Sequence, residues 1–197
     1  MAGEKATQIL MDEHRGIERM LSIVEQAAGR VERGEPVPPG LFVDAAEFFR
    51  NFADRCHHAK EEKHLFATAA ERGIPVEGGP IGVMLAEHDQ GRAFVRTIRG
   101  EGERYAAGSL QDPRRLIEAV RGYVNLLRAH ILKEDHMLYP MANRVLTSED
   151  QATLARAFER VEREEMGEGE HERYHTMIEE MEGIIAPQFQ RSRPSRH

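Results

Sequence analysis

The amino-acid sequence predicts an all-α fold: an antiparallel, up-down four-helix bundle with a C-terminal helical appendage. Apolar residues recur every three or four positions in four long segments, which is the periodicity of helices that bury one face. Short loops rich in proline and glycine separate these segments. Alternating apolar and polar patterns, which would indicate strands, do not occur. Long helices joined by short loops pack most simply as antiparallel neighbours.

Turn-forming loops set the limits of the predicted helices. The first three loops are RGEPVPPG (33–40), RGIPVEGGP (72–80) and AAGSLQDP (106–113). The four long helices are predicted over residues 5–33, 41–71, 81–105 and 113–143, and two shorter ones over 149–165 and 170–186. We therefore expect a bundle domain over residues 1–146 and a C-terminal helical extension and tail over residues 147–197.

Composition excludes several classes of function. The chain has 197 residues and a formal net charge of −7, without a compact basic stripe, so we expect no nucleic-acid partner. No apolar run approaches the length that spans a membrane, and the N-terminus lacks the apolar stretch of a signal peptide. With one cysteine, Cys56, an intramolecular disulfide cannot form. These features predict a cytoplasmic protein without a membrane partner.

Histidines interrupt the apolar stripes of the first and third predicted helices. At about 100° per residue, His14 falls between Leu10 and Ile17 on the inward face of the first helix. On the third helix, His88 follows Met84 in the same way. A single inward histidine is more often a hydrogen-bonded core residue than a ligand. The pattern gains weight only because the other two helices share it.

The second and fourth helices each add a glutamate one turn after their histidine. The stripe of the second helix continues from Ala53 into His57 and Glu61. The stripe of the fourth continues from Leu126 into His130 and Glu134 and returns to the apolar residues Met137 and Met141. The same rotation places His58 and Glu62 toward solvent and brings His64 back toward the inward side.

An internal repeat selects among these residues. The segment LMDEH (10–14) resembles MLAEH (84–88), and HHAKEEKHLFA (57–67) resembles HILKEDHMLYP (130–140), at offsets of 74 and 73 residues. In this alignment His57 matches His130 and Glu61 matches Glu134, whereas His58 matches Ile131. Two helix-loop-helix units would thus contribute equivalent side chains to a site with approximate two-fold symmetry.

Paired metal ions explain why a bundle core would contain these groups. A buried carboxylate without a partner costs several kcal/mol. Imidazole together with carboxylate suits iron, manganese or zinc, and iron is favoured when coordination positions stay open. A histidine and a glutamate at positions i and i+4 share one helix face. We therefore predict a site for two iron ions, with manganese or zinc as alternatives. The predicted metal ligands are His14, His57, Glu61, His88, His130 and Glu134.

Other chemistry-bearing residues have simpler interpretations. Tyr123 lies two turns before His130 on the same face and is expected to be a packed core tyrosine with a satisfied hydroxyl, not a metal ligand. His171 and His175 have the spacing of metal ligands, but they lie in the C-terminal appendage, where a polar or interface face is the simpler interpretation. Cys56 is expected to be a small apolar residue beside the site.

With these residues in place, the chain resembles hemerythrin-like proteins, the HHE cation-binding family. The resemblance covers about residues 5 to 143, and its most specific parts are His-x-x-x-Glu-Glu-x-x-Leu-Phe (57–66) and His-x-x-x-Glu-Asp-x-x-Leu-Tyr-Pro (130–140). It implies that the four histidines bind iron and that Glu61 and Glu134 bridge or co-ligate the pair. Oxygen-carrying members have an extra histidine one turn from the third-helix ligand. Here Arg92 lies four residues after His88, so the site is more similar to the four-histidine, two-glutamate centres of iron–sulfur repair and iron-sensing proteins.

The resemblance leads to several hypotheses for function. The first is a non-haem di-iron protein that binds or senses dioxygen, nitric oxide or peroxide. The second is an enzyme that uses the same centre for peroxide disproportionation or nitric-oxide reduction. Ferritin-like iron handling is less favoured, because the Glu-x-x-His pattern of that family is satisfied by Glu61 and His64 but not after Glu134. A purely structural bundle whose C-terminal helices bind a partner is a further alternative, and a homodimer is left open.

Overall fold

A computed structural model describes residues 5–167 and 169–186. Six helices form this part of the chain, and we label them α1 to α6. They comprise α1 (Ala6–Glu32), α2 (residues 41–71), α3 (Pro80–Ala106), α4 (residues 114–145), α5 (residues 148–166) and α6 (Glu170–Ile185). Each boundary lies within two residues of the boundary predicted from the sequence. The all-α prediction is confirmed, since the described residues contain no strand.

Helices α1 to α4 form an up-down bundle. Helix α1 packs against α2 and α4, and α3 packs against the same two helices from the opposite side. The shared core includes Leu21, Phe42, Phe49 and Val124, all of which are buried. Gly102 permits the close approach of α3 to α2, because a Cβ atom at this position would lie 2.9 Å from Cβ of Phe42. Glycine disfavours the helical conformation, but at this position it lets α3 pack closely against α2.

Helices α2 and α4 contain π-helical segments at the level of the predicted site. Helix α2 comprises α-helical Leu41–Phe48, π-helical Phe49–His58, π-helical Glu61–Leu65 and α-helical Phe66–Glu71. Helix α4 comprises α-helical Arg114–Lys133, π-helical Glu134–Leu138 and α-helical Tyr139–Val145. A π-helix pairs each amide with the carbonyl five residues earlier, so its side chains rotate less per residue than in an α-helix.

These segments correct the predicted inward stripe of the fourth helix. Met137 and Met141 were expected to be in the core, but their side chains are 60% and 36% exposed. Leu138 and Tyr139 are buried instead. The π-helical segment between Glu134 and Leu138 changes the phase of the helix, and a projection at a constant angle per residue does not include that change.

The C-terminal helices pack against the bundle. Helix α5 comprises Ser148–Val161 and π-helical Glu162–Met166, and it begins after a capping box between Thr147 and Asp150. Helix α6 packs along α1, and its Tyr174 contacts Phe48 of α2 edge-to-face with ring centroids 5.6 Å apart. The division of the chain at residue 146 stays a prediction. None of the described helices combines the length and the apolar character that crossing a membrane requires.

Candidate metal centre

The six side chains that the sequence singled out converge in the core of the bundle. Each of the four helices contributes a histidine, and α2 and α4 each contribute a glutamate as well. The residues are His14, His57, Glu61, His88, His130 and Glu134, and each is at most 1% exposed. They lie in two groups, and within each group one ligand atom of every residue lies within 4.8 Å of the others.

The first group, called cluster A, consists of His14, His57 and Glu134. The Nε2 atoms of His14 and His57 are 3.0 Å apart. Nε2 of His14 is 3.3 Å from Oε2 of Glu134. Two donors that share one metal ion at about 2.1 Å and roughly a right angle are about 3.0 Å apart, so these distances suit a common ion.

The second group, called cluster B, consists of His58, Glu61, His88 and His130. The Nε2 atoms of His88 and His130 are 3.0 Å apart, which repeats the pair in cluster A. Nε2 of His88 is 3.4 Å from Oε2 of Glu61. The ligand pairs of the two halves therefore have the approximate two-fold symmetry that the internal repeat predicts.

Glu134 extends between the two clusters. Its Oε2 atom faces His14 in cluster A, and its Oε1 atom lies 3.1 Å from Nε2 of His130 in cluster B. Glu61 also approaches both clusters, but with one oxygen only: Oε2 is 3.4 Å from Nε2 of His88 and 3.7 Å from Nε2 of His57. The carboxylate of Glu134 thus has the placement of a group that could bridge two ions.

Four carboxylates orient the histidines from outside the clusters. The pairs are His14 Nδ1 with Asp135 at 2.8 Å, His57 Nδ1 with Glu13 at 2.8 Å, His88 Nδ1 with Glu62 at 2.7 Å and His130 Nδ1 with Glu87 at 2.8 Å. Because a carboxylate accepts the Nδ1 proton, the neutral imidazole presents the lone pair of Nε2 to the cluster. These pairs follow the repeat, since Glu13 aligns with Glu87 and Glu62 aligns with Asp135.

Lysines complete this arrangement in both halves. Lys60 donates to Glu13, and its repeat equivalent Lys133 donates to Glu87. The two lysines differ in burial: Lys60 is 0% exposed, whereas the side chain of Lys133 is 35% exposed. Helix α5 accounts for the difference, because Glu162 accepts a 2.6 Å hydrogen bond from Lys60. The C-terminal extension therefore encloses the outer side of cluster A.

Carboxylates around the site favour the protonated forms of His14 and His88 in the metal-free protein. Burial opposes charge on His14, but its hydrogen bond to Asp135 and the nearby carboxylate of Glu134 raise its pKa to about 9. Burial likewise opposes charge on His88, but the nearby carboxylate of Glu61 and the hydrogen bond to Glu62 raise its pKa to about 10. Burial acts to raise the pKa of Glu61, but the neighbouring His57 and His88 hold it well below its ordinary value.

Unpartnered carboxylate oxygens show that the residues fit a metal ion. Oε2 of Glu61 and both oxygens of Glu134 are fully buried and have no hydrogen-bond partner in the described part of the chain. A buried acceptor without a partner costs free energy, more so when it is charged. A cation among these oxygens and the facing Nε2 atoms satisfies all of them, and imidazole with carboxylate is a donor set that binds divalent ions.

His58 was expected to face solvent, and this expectation was wrong. Its side chain is 5% exposed, belongs to cluster B and stacks on the ring of His88 with centroids 3.7 Å apart. Burial, followed by the charge on His88, lowers the pKa of His58 to about 3, which keeps its imidazole neutral. The π-helical segment Phe49–His58 accounts for the error, because two consecutive histidines at its end can both reach the core.

Glu62 also departs from the expected orientation toward solvent. Its side chain is 27% exposed, and Oε1 accepts hydrogen bonds from Nδ1 of His88 and, at 2.7 Å, from Arg92. Arg92 stands where the resemblance places a histidine in oxygen carriers. Here it donates to Glu62, the carboxylate that orients His88. The sequence contained a signal for this role, since the repeat aligns Glu62 with Asp135.

Tyr139 belongs to the site. It lies within the motif at residues 130–140, but the sequence patterns gave it no role. Its hydroxyl donates a 2.6 Å hydrogen bond to Oε1 of Glu61, and its ring stacks on His14 with centroids 5.7 Å apart. Phe66 occupies the equivalent position in the repeat and stacks on His88, but it has no hydroxyl to donate. The alignment of tyrosine with phenylalanine inside the two motifs was the signal for this asymmetry.

The remaining candidates lie outside the clusters. His64 is half-buried and belongs to neither group. Tyr123 is buried in the core and packs on Phe49, as expected, but its hydroxyl has no hydrogen-bond partner among the described residues. His175 is half-buried in α6 and belongs to neither cluster. The side chain of His171 lies outside the described residues.

Comparison with known proteins gives a consistent result. A family model described as the hemerythrin HHE cation binding domain matches residues 5–142. Uncharacterized proteins of Mycobacterium bovis and of two strains of Mycobacterium tuberculosis are each 26% identical to this chain over 165 residues. The alignment covers 83% of this chain and 63% of each relative, so the chain spans less than two thirds of their length. No solved structure matches the chain with significant similarity.

Proposed function

Because the chain belongs to the hemerythrin HHE cation-binding family, we propose that clusters A and B hold two iron ions and that this centre binds or senses dioxygen, nitric oxide or peroxide. The observation that carries the proposal is the carboxylate of Glu134. It is fully buried, and each of its oxygens faces one cluster without a hydrogen-bond partner among the described residues. Such a group requires positive charge on both sides.

The choice of iron follows from the donor set. Imidazole and carboxylate ligands with open coordination positions favour non-haem iron. Manganese and zinc can bind the same donors and are the alternatives. An ion held by the three residues of cluster A would keep coordination positions open to a small molecule. When bound, a pair of iron ions supplies redox chemistry and open coordination positions for a diatomic gas or a peroxide.

The chain itself contributes orientation and exclusion of water. The carboxylates on Nδ1 hold the four rings with Nε2 facing inward, which reduces the reorganisation needed for metal binding. Burial of all six residues keeps bulk water from the site. Lys60 and Lys133 compensate the negative charge of the orienting carboxylates Glu13 and Glu87.

Rapid mixing tests this function. The protein is loaded with ferrous iron without air and mixed in a stopped-flow spectrometer with dioxygen, nitric oxide or hydrogen peroxide. We expect an absorbance change with at least one of them that Glu134→Ala abolishes. Zinc-loaded protein is the control, since zinc has no redox chemistry. The absence of any absorbance change with all three ligands would contradict the proposal.

A second candidate function is redox turnover at the same centre, either peroxide disproportionation or nitric-oxide reduction. The observation that favours it is the Tyr139 hydroxyl, which lies 2.6 Å from Glu61 and 3.5 Å from Nε2 of His14 and so holds a proton inside a dry site. Steady consumption of hydrogen peroxide or nitric oxide, slowed in Tyr139→Phe, supports an enzyme. Stoichiometric binding without turnover supports a carrier or sensor.

A further inference from the structure

A pocket of about 400 Å³ lies beside the candidate metal centre, in the groove between α2 and α3. Pockets that bind small molecules commonly have volumes of about 300 Å³ or more, so this pocket is large enough for a small organic molecule. His58 forms part of its wall, and on the other side of this ring lies His88 of cluster B. The pocket therefore approaches the centre from the half that contains the additional histidine.

The inner wall of the pocket is largely apolar. It is formed by Ala46 and Phe49 of α2, Gly91 and Val95 of α3, and Tyr123 of α4. Tyr123 is 2% exposed, and its hydroxyl has no hydrogen-bond partner among the described residues. Gly91 lies close to the ring of Tyr123, since a Cβ atom there would be 3.4 Å from Cε2 of Tyr123. An apolar ligand body with one hydrogen-bond acceptor matches these walls.

Arginines surround the apolar wall, and two of them have no ion-pair partner among the described residues. Arg92 is paired with Asp54 and Glu62, and Arg99 is paired with Glu103. By contrast, Arg50 and Arg96 are exposed, and neither forms an ion pair within the described residues. In a chain with a net charge of −7, two unpaired guanidinium groups beside one apolar pocket indicate an anionic ligand.

We propose that this pocket binds an amphipathic organic carboxylate, whose charged group pairs with Arg50 and Arg96 and whose apolar body lies on Phe49, Val95 and Tyr123. Arginine suits this role because its planar guanidinium donates two parallel hydrogen bonds to a carboxylate. Binding itself is independent of the metal, whereas any influence on the centre through His58 rests on the proposed function. The ligand would thus be a co-substrate or an effector at the cluster B side.

Calorimetric titration with sodium octanoate tests this proposal, with octan-1-ol as the uncharged probe of the same chain length. Metal-free and iron-loaded protein are titrated separately. We expect octanoate to bind both forms and to bind more tightly than octanol. The substitutions Arg50→Glu and Arg96→Glu should each weaken octanoate binding by about tenfold or more, because a charge-assisted hydrogen bond is lost. Arg121→Glu, which changes the net charge equally on the exposed face of α4, is the matched control and should leave the affinity unchanged.

A second variant tests the position of the apolar body. Val95→Trp, verified as folded by circular dichroism, should block octanoate and octanol alike. The proposal is overturned if octanoate binds no more tightly than octanol, or if the arginine variants bind octanoate as well as the wild type does. Octanoate binding by protein that takes up no iron would support the pocket and contradict only the proposed metal function.

Discussion

The hydroxyl of Tyr139 donates a 2.6 Å hydrogen bond to Oε1 of Glu61 in the fully buried centre. This bond occupies one oxygen of Glu61, whereas both oxygens of Glu134 have no hydrogen-bond partner among the described residues. The two halves of the repeat therefore differ at one atom, because Phe66 replaces tyrosine in the other half. Glu61 and Glu134 are equivalent in the repeat, but in the described part of the chain only Glu61 accepts a hydrogen bond from a tyrosine.

Tyr139→Phe should weaken iron binding by about 10- to 100-fold while the fold is retained, since partners of metal ligands commonly contribute this much to metal affinity. Phenylalanine already occupies the equivalent position 66, so the ring itself is tolerated. Metal affinity measured by competition with a chelator checks this. Tyr105→Phe is the control, because its hydroxyl donates to the carbonyl of Val37 away from the site. Equal affinities of wild type and Tyr139→Phe would show that the hydroxyl is not needed for iron binding.

Lys60→Met should destabilise the metal-free protein by about 3 kcal/mol or more, because it leaves the buried carboxylate of Glu13 without its cation. Lys133→Met is the matched control from the repeat, and its partly exposed ion pair should contribute about 1 kcal/mol or less. Unfolding in urea gives both free energies. If the two variants lose the same stability, burial by α5 does not distinguish the two lysines.

Removal of the metal should lower the melting temperature of the wild type strongly, because ligands that bind only the folded state stabilise it. Glu134→Gln should show little of this metal-dependent difference. Calorimetric melting with and without iron measures both effects. A metal-free wild type that melts at the temperature of the loaded protein would favour a purely structural bundle.

Metal affinity should rise with pH. In the metal-free protein the pKa values of His14 and His88 are raised to about 9 and 10, so both rings carry a proton at neutral pH that the metal must displace. The apparent affinity for cobalt(II), measured between about pH 6 and pH 8.5, should therefore increase with pH. Glu62→Gln should flatten this dependence, because Glu62 contributes to the raised pKa of His88. An affinity that is constant or falls over this range would contradict the assignment of protons to these rings.

The sequence predicted the helices and the six central side chains because each depends on local patterns. Proline and glycine loops fix the ends of α1 to α4, and the repeat relates His57 to His130 and Glu61 to Glu134. The positions of His58, Met137 and Met141 were wrong because π-helical segments change the rotation per residue, and periodicity at a constant angle does not detect them.

The carboxylates and lysines that orient the histidines could be predicted from the sequence only in part. The alignment of Glu13 with Glu87 and of Lys60 with Lys133 is present in the sequence, but their contacts with the histidines depend on side-chain directions between helices. The burial of Lys60 by Glu162 depends on how α5 folds back over the bundle. No local pattern specifies such a tertiary contact.

Metal analysis of protein reconstituted with ferrous iron without air, followed by removal of unbound ions, tests the central claim most directly. We expect two irons per chain in the wild type and a loss of stoichiometric iron in His57→Ala and in Glu134→Ala. His64→Ala is the matched control, since this half-buried histidine on α2 lies outside both clusters. A wild type that retains no iron, or two irons per chain in both His57→Ala and Glu134→Ala, would contradict the assignment of clusters A and B as a paired metal centre.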